Sequence, residues 1–466
     1  MALGRRKAKQ ESLWVSSHDL PRSGGHPFYL ALGRVLDAGD FDRVVEDLCA
    51  EHYAKRQGRP SIPPGMYFRM LFVGYFEGIT SQRGIAWRCQ DSLSIRDFLG
   101  LGATERSPDH SSMTVIRKRL PFEIFDEVFR FVLDCAREQG LLKGKTVAVD
   151  ATFLEASAAM KSIVRRDTGE NWGEYIKRLA EEEGVENPRD EDARRLDRKR
   201  KKSVSNEDWE SKTDPDSRIA KMKDGRTHLA YKAEHAVDLD TDIVVAASIY
   251  RADHSDYDSL AVTLDDANEH LAAVDEDLAI EEAVMDKGYH KVDTLVECEQ
   301  RDIRSYIPER KTSGRRKWKD KPAASEHAFR ANRRRVRGPR NASLQRRRSE
   351  YVERTFAHSC ESGGGRRSHL RGLYDVGKRW IAHLAARNLG VIIRSITGVG
   401  TPRGHQTEGC GASLLDGAMN ACTRLQGWIM TWFADRLPIP IDSDRSFQNF
   451  RVTTLIRKNR GFSTAC

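Results

Sequence analysis

Two aspartates follow short apolar runs in the middle of the chain. Asp150 lies in the run 145–153 (KTVAVDATF), and Asp286 directly follows the apolar residues 283–285. Short β-rich runs of this kind form buried strands, so both aspartates are expected at strand ends, at the edge of a sheet. Mg²⁺ prefers hard oxygen ligands and needs only one or two carboxylates besides waters and substrate phosphates. The two aspartates could therefore share a divalent ion that activates an attacking oxygen and stabilises a leaving one.

Four further acidic residues are rival candidate ligands, but they and two nearby histidines are interpreted as structural, as are the cysteines. The acidic ones are typical of solvated loops or helix caps, and the histidines of surface or hydrogen-bonding positions, because Mg²⁺ prefers oxygen. The eight cysteines lie far apart without a CxxC pair, so reduced thiols are expected rather than a zinc or redox site. The acidic residues are Glu155, Asp253, Asp256 and Asp258, and the histidines are His254 and His290.

The middle of the chain alternates strand and helix patterns, which predicts an α/β sheet. A charged, poorly apolar stretch over 175–223 interrupts this alternation and predicts an insertion of helices and exposed loop. Apolar spacing over 370–393 predicts a long helix, and a further helix is expected near 414–433. The predicted strands are 145–153, 228–238, 242–250 and 281–289, and the helices between them are 259–271 and 292–299.

The first 140 residues are expected to be almost entirely helical. Tyr67, Phe68 and Trp87 are assigned to the core. Arg117, Lys118 and Arg119 fall on one predicted helix, which is either a DNA recognition helix or an ordinary exposed helix face. The predicted helices are 28–53 as one or two segments, 66–76, 85–89, 95–99, 111–120 and 122–139, with a break at 58–64 and a capping turn at 107–110.

The charge of the chain is concentrated in one window. The net charge is +9, yet residues 301–350 hold eighteen Lys and Arg against five Asp and Glu, a net +13 that leaves −4 for the rest. Such asymmetry indicates a polyanionic partner, although a charge run can be only a solvated surface. No stretch is apolar enough for a membrane span or a secretory signal, so a cytoplasmic protein is expected.

Three sequence blocks resemble the catalytic blocks of bacterial insertion-sequence DDE transposases. They are VAVDATFLEA, AVMDKGYHK, and SEYVERTFA followed by RGLYDVGKRW, and the resemblance spans about residues 55–395. It implies an RNase H-like mixed sheet flanked by helices, with right-handed crossovers. It also implies that Glu353 is the third carboxylate beside Asp150 and Asp286, that Mg²⁺ is the cofactor with Mn²⁺ able to substitute, and that the three carboxylates converge.

The resemblance also implies a domain organisation and a set of partners. Residues 1–140 would bind the terminal inverted repeats of double-stranded DNA, with the segment around 68–120 most similar to that domain. Residues 141–395 would form the catalytic domain with a charged insertion at about 160–225, and the role of 396–466 is unknown. A homodimer in the synaptic complex, target DNA as second partner and a nucleoid-associated location are expected.

Some positions depart from the usual pattern. Cys360 stands where relatives place a Lys, and a run of three arginines precedes Glu353. Arginine suits bidentate phosphate binding, so six arginines are candidate phosphate contacts. Two other functions stay open: an inactive or domesticated DNA-binding protein, and a plain metal-dependent nuclease of the same core fold. The candidate arginines are Arg346, Arg347, Arg348, Arg354, Arg366 and Arg367.

Overall fold

A helical amino-terminal part precedes a mixed sheet that is flanked by helices, which confirms the predicted α/β class. The computed structural model describes residue 16 and residues 24–54, 61–102, 104–199, 204–310, 318–319 and 321–407. The predicted helix near 414–433 lies outside the described residues. Among the described helices, none combines the length and the apolar character needed to cross a membrane.

The helices predicted for the amino-terminal part are confirmed. The predicted turn at 107–110 caps a helix, because the Asp109 carboxylate accepts a hydrogen bond from the Ser111 N–H at 2.7 Å. Tyr67 and Phe68 are buried as predicted, whereas Trp87 is 67 % exposed and its core assignment is wrong. These helices are α1 (Pro27–Ala38), α2 (Phe41–Cys49), α3 (Pro64–Phe76), α4 (Gln82–Asp91), α5 (Leu93–Phe98), α6 (His110–Arg119) and α7 (Phe122–Glu138).

The main sheet has the spatial order β6–β5–β1–β7–β8, with the short β4 pairing along the outer edge of β5. Strand β5 is antiparallel to β1 and β6, while β1, β7 and β8 are parallel to one another. This order confirms the RNase H-like sheet. The strands are β1 (Thr146–Glu155), β2 (Ile163–Arg165), β3 (Trp209–Ser211), β4 (Arg218–Lys221), β5 (Thr227–Asp238), β6 (Val244–Arg251), β7 (Glu282–Val284) and β8 (Arg304–Tyr306).

Helices cover the sheet and connect it to the amino-terminal part. Helix α10 (Asp256–Val274) packs on β5 and β6. Helix α13 (Pro339–Phe356), which contains the VERTF block, contacts β1 and β7. The longest helix packs along both β6 and α7, so one continuous apolar core joins the two parts of the chain. These helices are α8 (Trp172–Glu182), α9 (Asp190–Lys199), α10 (Asp256–Val274), α11 (Val292–Gln300), α12 (Ala323–Arg337), α13 (Pro339–Phe356), α14 (Leu373–Thr397) and α15 (Pro402–Thr407).

The charged insertion between β1 and β4 has a small packed centre of its own. Strands β2 and β3 pair antiparallel, and α8 and α9 pack together beside them. Trp209 is buried, with ring centroids 5.1 Å from Trp172 and 5.2 Å from Tyr175. Residues 200–203 of the predicted basic cluster lie outside the described part of the chain. The boundaries of the predicted domains stay a prediction.

Candidate active site

The sheet register brings Asp150 and Asp286 to the same place. Strands β1 and β7 run parallel with Ala148 paired to Val284, and each aspartate lies two residues beyond that pair. Equal offsets along parallel strands place side chains on the same face of a sheet. The predicted strand end is confirmed for Asp286 but wrong for Asp150, because β1 continues its pairing with β5 as far as Glu155. Asp150 therefore lies where its neighbour β7 stops rather than where β1 stops.

A tight turn after β7 fixes the Asp286 carboxylate. Residues Lys287–Tyr289 form one 3₁₀ turn, and Asp286 Oδ1 accepts a hydrogen bond of 2.6 Å from the Gly288 N–H. A Cβ atom on Gly288 would lie 2.7 Å from that oxygen and 3.0 Å from Asp256 Oδ2. Because real Cβ atoms do not approach oxygen so closely, a larger residue at this position would displace these carboxylates. The turn thus leaves an oxygen-lined space of the chemical type that Mg²⁺ prefers.

Asp150 is held by a cation from the helix that crosses the sheet. Arg348 Nη1 lies 2.8 Å from Asp150 Oδ2, and the Ala151 N–H donates to Oδ1 at 2.8 Å. Burial raises the pKa of Asp150 above its ordinary value, and the charge of Asp286 raises it as well, while Arg348 and the Ala151 N–H lower it. The charge of Asp286 acts on Asp150 because the register of β1 and β7 places the two residues next to each other.

Glu353 lies on the same helix as Arg348, but it faces solvent. Its side chain is exposed, and its Oε1 accepts a hydrogen bond of 3.2 Å from Ser349 Oγ. Across the described residues, no three Asp, Glu, His or Cys side chains are grouped closely enough to hold a metal ion together. The convergence of Glu353 with Asp150 and Asp286 therefore stays a prediction that rests on the resemblance.

Cys360, at the position where relatives place a basic residue, is buried. It lies in the π-helical segment Ala357–Ser362, which directly continues α13. Burial raises the pKa of the Cys360 thiol to about 11, so the side chain is a neutral apolar group at pH 7. An extra residue per turn rotates the side chains that follow it, and such segments often occur near functional sites. Cys360 therefore does not supply the positive charge that relatives place at this position.

Several of the predicted phosphate-contact arginines are engaged within the protein. Arg347 pairs with Asp240 at 2.7 Å, and Arg354 pairs with Asp242 at 3.3 Å. Arg366 pairs with Glu361 at 2.8 Å and also donates to β1. By contrast, Arg346 is exposed, and Arg367 is 60 % exposed with Glu155 3.7 Å away. The basic window is thus divided between internal ion pairs and exposed cations.

The three predicted basic residues at the end of α6 also separate into two kinds. Arg117 is buried, and its Nε lies 3.2 Å from Asp375 Oδ2 on α14. Lys118 and Arg119 are exposed, and the Arg119 guanidinium lies 4.6 Å from the centroid of the Tyr53 ring. Arg117 therefore connects α6 to α14, while Lys118 and Arg119 face outward. Their contact with DNA stays a prediction.

Among the acidic residues interpreted as structural, Asp256 has a role that the sequence did not indicate. It begins α10, consistent with a cap position, but its Oδ1 lies 2.9 Å from Nζ of the buried Lys232. Asp253 pairs with Arg218 at 3.3 Å. His254 stacks on the Tyr250 ring, with the two ring centroids 4.9 Å apart.

The remaining rivals have similarly ordinary surroundings. Glu155 lies 3.7 Å from His228 and from Arg367, and Asp258 accepts a hydrogen bond from Ser255. His290 packs edge to face against Phe329, as expected of a structural histidine. Lys232 and Glu234 are not among the predicted site residues, and their only sequence signal is a pair of charged residues inside a predicted buried strand.

Comparison with known protein families gives two matches that together cover most of the described chain. Residues 19–119 match a family described as transposase domain (DUF772), and residues 143–389 match one described as transposase DDE domain. Searches of curated proteins and of solved structures return no match. The second family covers more than half of the chain, and its match contains Asp150, Asp286 and Glu353. The chain therefore belongs to the DDE transposase family of insertion sequences.

Proposed function

We propose that this transposase hydrolyses phosphodiester bonds at the ends of its element and joins the freed 3′-hydroxyl to target DNA, with Mg²⁺ as cofactor and Mn²⁺ as a substitute. The observation that best supports this proposal is the register of β1 and β7, which aligns Asp150 and Asp286. Membership of the DDE family supports DNA as the substrate and a general requirement for divalent ions.

Asp150 and Asp286 are the proposed ion ligands, and Glu353 completes the set. The fit is supported by the donor chemistry, because all three offer carboxylate oxygens. It is also supported by the pairing of β1 with β7, which places Asp150 and Asp286 at equal offsets beyond the Ala148–Val284 pair. When bound, the ions would activate the attacking oxygen and stabilise the departing 3′ oxygen.

Arg348 is the proposed partner of the scissile phosphate. In this structure its guanidinium neutralises Asp150 at 2.8 Å. An ion bound to Asp150 would take over that neutralisation, and the guanidinium would then be free to bind phosphate oxygens bidentately. In the first step a water oxygen bonds to phosphorus and the bond to the 3′ oxygen breaks. In the second step the resulting 3′-hydroxyl attacks a target phosphodiester and displaces its 3′ oxygen.

DNA is proposed to contact two groups of exposed cations. Lys118 and Arg119 on the helical part would bind the terminal inverted repeats, and Arg346 and Arg367 would bind the phosphate backbone beside the carboxylates. Two copies of the chain are proposed to hold the two element ends in one synaptic complex. Each exposed cation that neutralises a phosphate adds a salt-dependent contribution to binding.

The experiment that tests this function compares Asp150→Asn and Asp286→Asn with wild-type protein on labelled end DNA. Both variants are expected to lose cleavage in Mg²⁺ and in Mn²⁺ while keeping end binding, because DNA is held mainly by cationic groups. Asp293→Asn is the matched control, since that carboxylate is 70 % exposed on α11 and forms a surface ion pair with Lys291. It should cleave like the wild type.

The alternatives give different results in the same assay. A wild-type chain that binds the ends but cuts in neither ion is an inactive DNA-binding protein. A chain that cuts but never joins a 3′-end to target DNA is a plain nuclease. Cleavage at the wild-type rate by either Asn variant would exclude the proposed ligands.

A further inference from the structure

A pair of opposite charges is buried behind the candidate active site. Glu234 is 0 % exposed and Lys232 is 2 % exposed, two residues apart on the face of β5 that packs against α10. Removing two charges from water is expensive unless further hydrogen bonds satisfy them. The residues around Lys232 and Glu234 provide these hydrogen bonds.

The Glu234 carboxylate accepts hydrogen bonds from three hydroxyl groups. Thr263 Oγ1 donates to Oε1 at 2.6 Å, while Ser259 Oγ and the Tyr289 hydroxyl donate to Oε2 at 2.7 and 2.8 Å. Lys232 Nζ lies 3.3 Å from Oε2 and donates to Ser259 Oγ at 2.9 Å. These five residues, Lys232, Glu234, Ser259, Thr263 and Tyr289, are called the Glu234 network below.

The network reaches the candidate active site by two routes. Tyr289 is the last residue of the 3₁₀ turn whose Gly288 N–H holds Asp286, so its bond to Glu234 fixes the far end of that turn. Lys232 also holds Asp256 at 2.9 Å, and Asp256 Oδ2 is the second oxygen beside Gly288. Both carboxylates that face Gly288 are therefore restrained from the buried side of the sheet.

We propose that the Glu234 network is a positioning device that holds the Asp286 turn in the geometry needed to bind the divalent ion. This inference rests on the proposed function, because it assigns a support to one of the proposed ligands. Groups that orient a metal ligand from behind commonly change metal affinity by about 10- to 100-fold when they are removed. Tyr289 is the most direct link, since one hydroxyl joins the turn to the buried carboxylate.

Tyr289→Phe and its control Tyr306→Phe separate positioning from plain stability. Both tyrosines are buried, and both donate to a buried glutamate: Tyr306 binds Glu282 Oε1 at 3.0 Å, at the start of β7 and away from Asp286. Mn²⁺ binding to the full chain without DNA is measured by titration calorimetry, and thermal unfolding is measured in parallel. We expect similar stability losses, but Mn²⁺ binding weakened about 10-fold or more only in Tyr289→Phe.

A second pair of variants keeps the test decisive if Tyr289→Phe does not fold. Thr263→Val removes the hydroxyl that binds Oε1 at nearly constant volume, and Thr263→Ser restores it. Mn²⁺ affinity should fall in the Val variant and return in the Ser variant. If Tyr289→Phe and Thr263→Val bind Mn²⁺ like the wild type, the network is only structural and the proposed function stands. If the wild type binds no Mn²⁺ and cuts without a divalent ion, both proposals fail.

Discussion

Glu234 and His235 are adjacent on β5 and both buried, but they differ in hydrogen bonding and in the face of the sheet on which they lie. Glu234 faces α10 and receives three hydroxyl donors and one ammonium group. His235 faces the other side, where its ring lies 4.2 Å from the Phe356 ring and neither nitrogen has a hydrogen-bond partner among the described residues. Burial, together with the charge of Arg387, lowers the pKa of His235 to about 3, so the ring is neutral at pH 7.

The difference shows how the two faces of the sheet serve the candidate site. His235 is paired directly with Asp150 across the strands, so the face of the proposed ligands is lined by a neutral, unbonded ring. The opposite face holds a fully bonded ion pair that reaches Asp286 through Tyr289. One face thus supplies rigid polar support, while the face of the proposed ligands combines the Arg348–Asp150 ion pair with the neutral His235 ring.

The largest expected loss of stability comes from removing the Glu234 side chain, the acceptor at the centre of the Glu234 network. Glu234→Ala would leave Lys232 buried with only Asp256 as an acidic partner and would remove the acceptor of three hydroxyls. Removing one partner of a buried pair typically destabilises a protein by about 3 to 5 kcal/mol. Urea unfolding of the two proteins measures this difference.

Glu281→Ala is the matched control for that substitution. Glu281 is 50 % exposed and pairs with Arg304 at 3.1 Å and Lys145 at 3.5 Å. Exposed pairs of this kind contribute about 0 to 1 kcal/mol. Equal losses in the two Ala variants would mean that Glu234 is not the centre of a buried network.

A smaller, pH-dependent contribution to the free energy of unfolding is expected from His235. The folded-state pKa of His235, about 3, lies below its ordinary value of 6.5, so the unfolded chain binds more protons between these values. Stability from this residue is complete above pH 6.5 and decreases as the pH falls toward 3. The free energy of unfolding should fall between pH 7 and pH 4.5 in both proteins. In His235→Leu this fall should be about 2 to 3 kcal/mol smaller than in the wild type, because the variant lacks the buried neutral ring. Parallel acid-induced loss in both proteins would show that His235 is not buried as a neutral ring.

The sequence predicts the elements with strong periodic patterns but not those whose burial depends on distant partners. The four runs predicted as strands are β1, β5, β6 and β7, because each is rich in apolar residues over several positions. Strand β8 consists of an arginine, a serine and a tyrosine, so no apolar run marks it. Helices α12 and α13 bury few apolar side chains, and their arginines find partners on other elements, as Arg340 does with Glu282.

The same limit applies to the candidate site. Asp150 and Asp286 are predictable from the residue types after apolar runs, but their alignment depends on a parallel register between segments 136 residues apart. Lys232 and Glu234 stand in a run correctly predicted as a strand. Nothing local shows that hydroxyls from α10 and the turn at Tyr289 would satisfy them. Trp87 is predicted in the core, yet α4 leaves it 67 % exposed.

The most direct test of the central claim, that Asp150 and Asp286 together bind the catalytic ion, is a ligand exchange at each position. Asp150→Cys and Asp286→Cys replace a hard oxygen with a softer sulfur, which disfavours Mg²⁺ more than Mn²⁺. End-DNA cleavage by each variant is measured in Mg²⁺ and in Mn²⁺ beside the wild type. We predict no cleavage in Mg²⁺ and partial recovery in Mn²⁺ for both variants. Wild-type cleavage rates in Mg²⁺ by either Cys variant would contradict the claim.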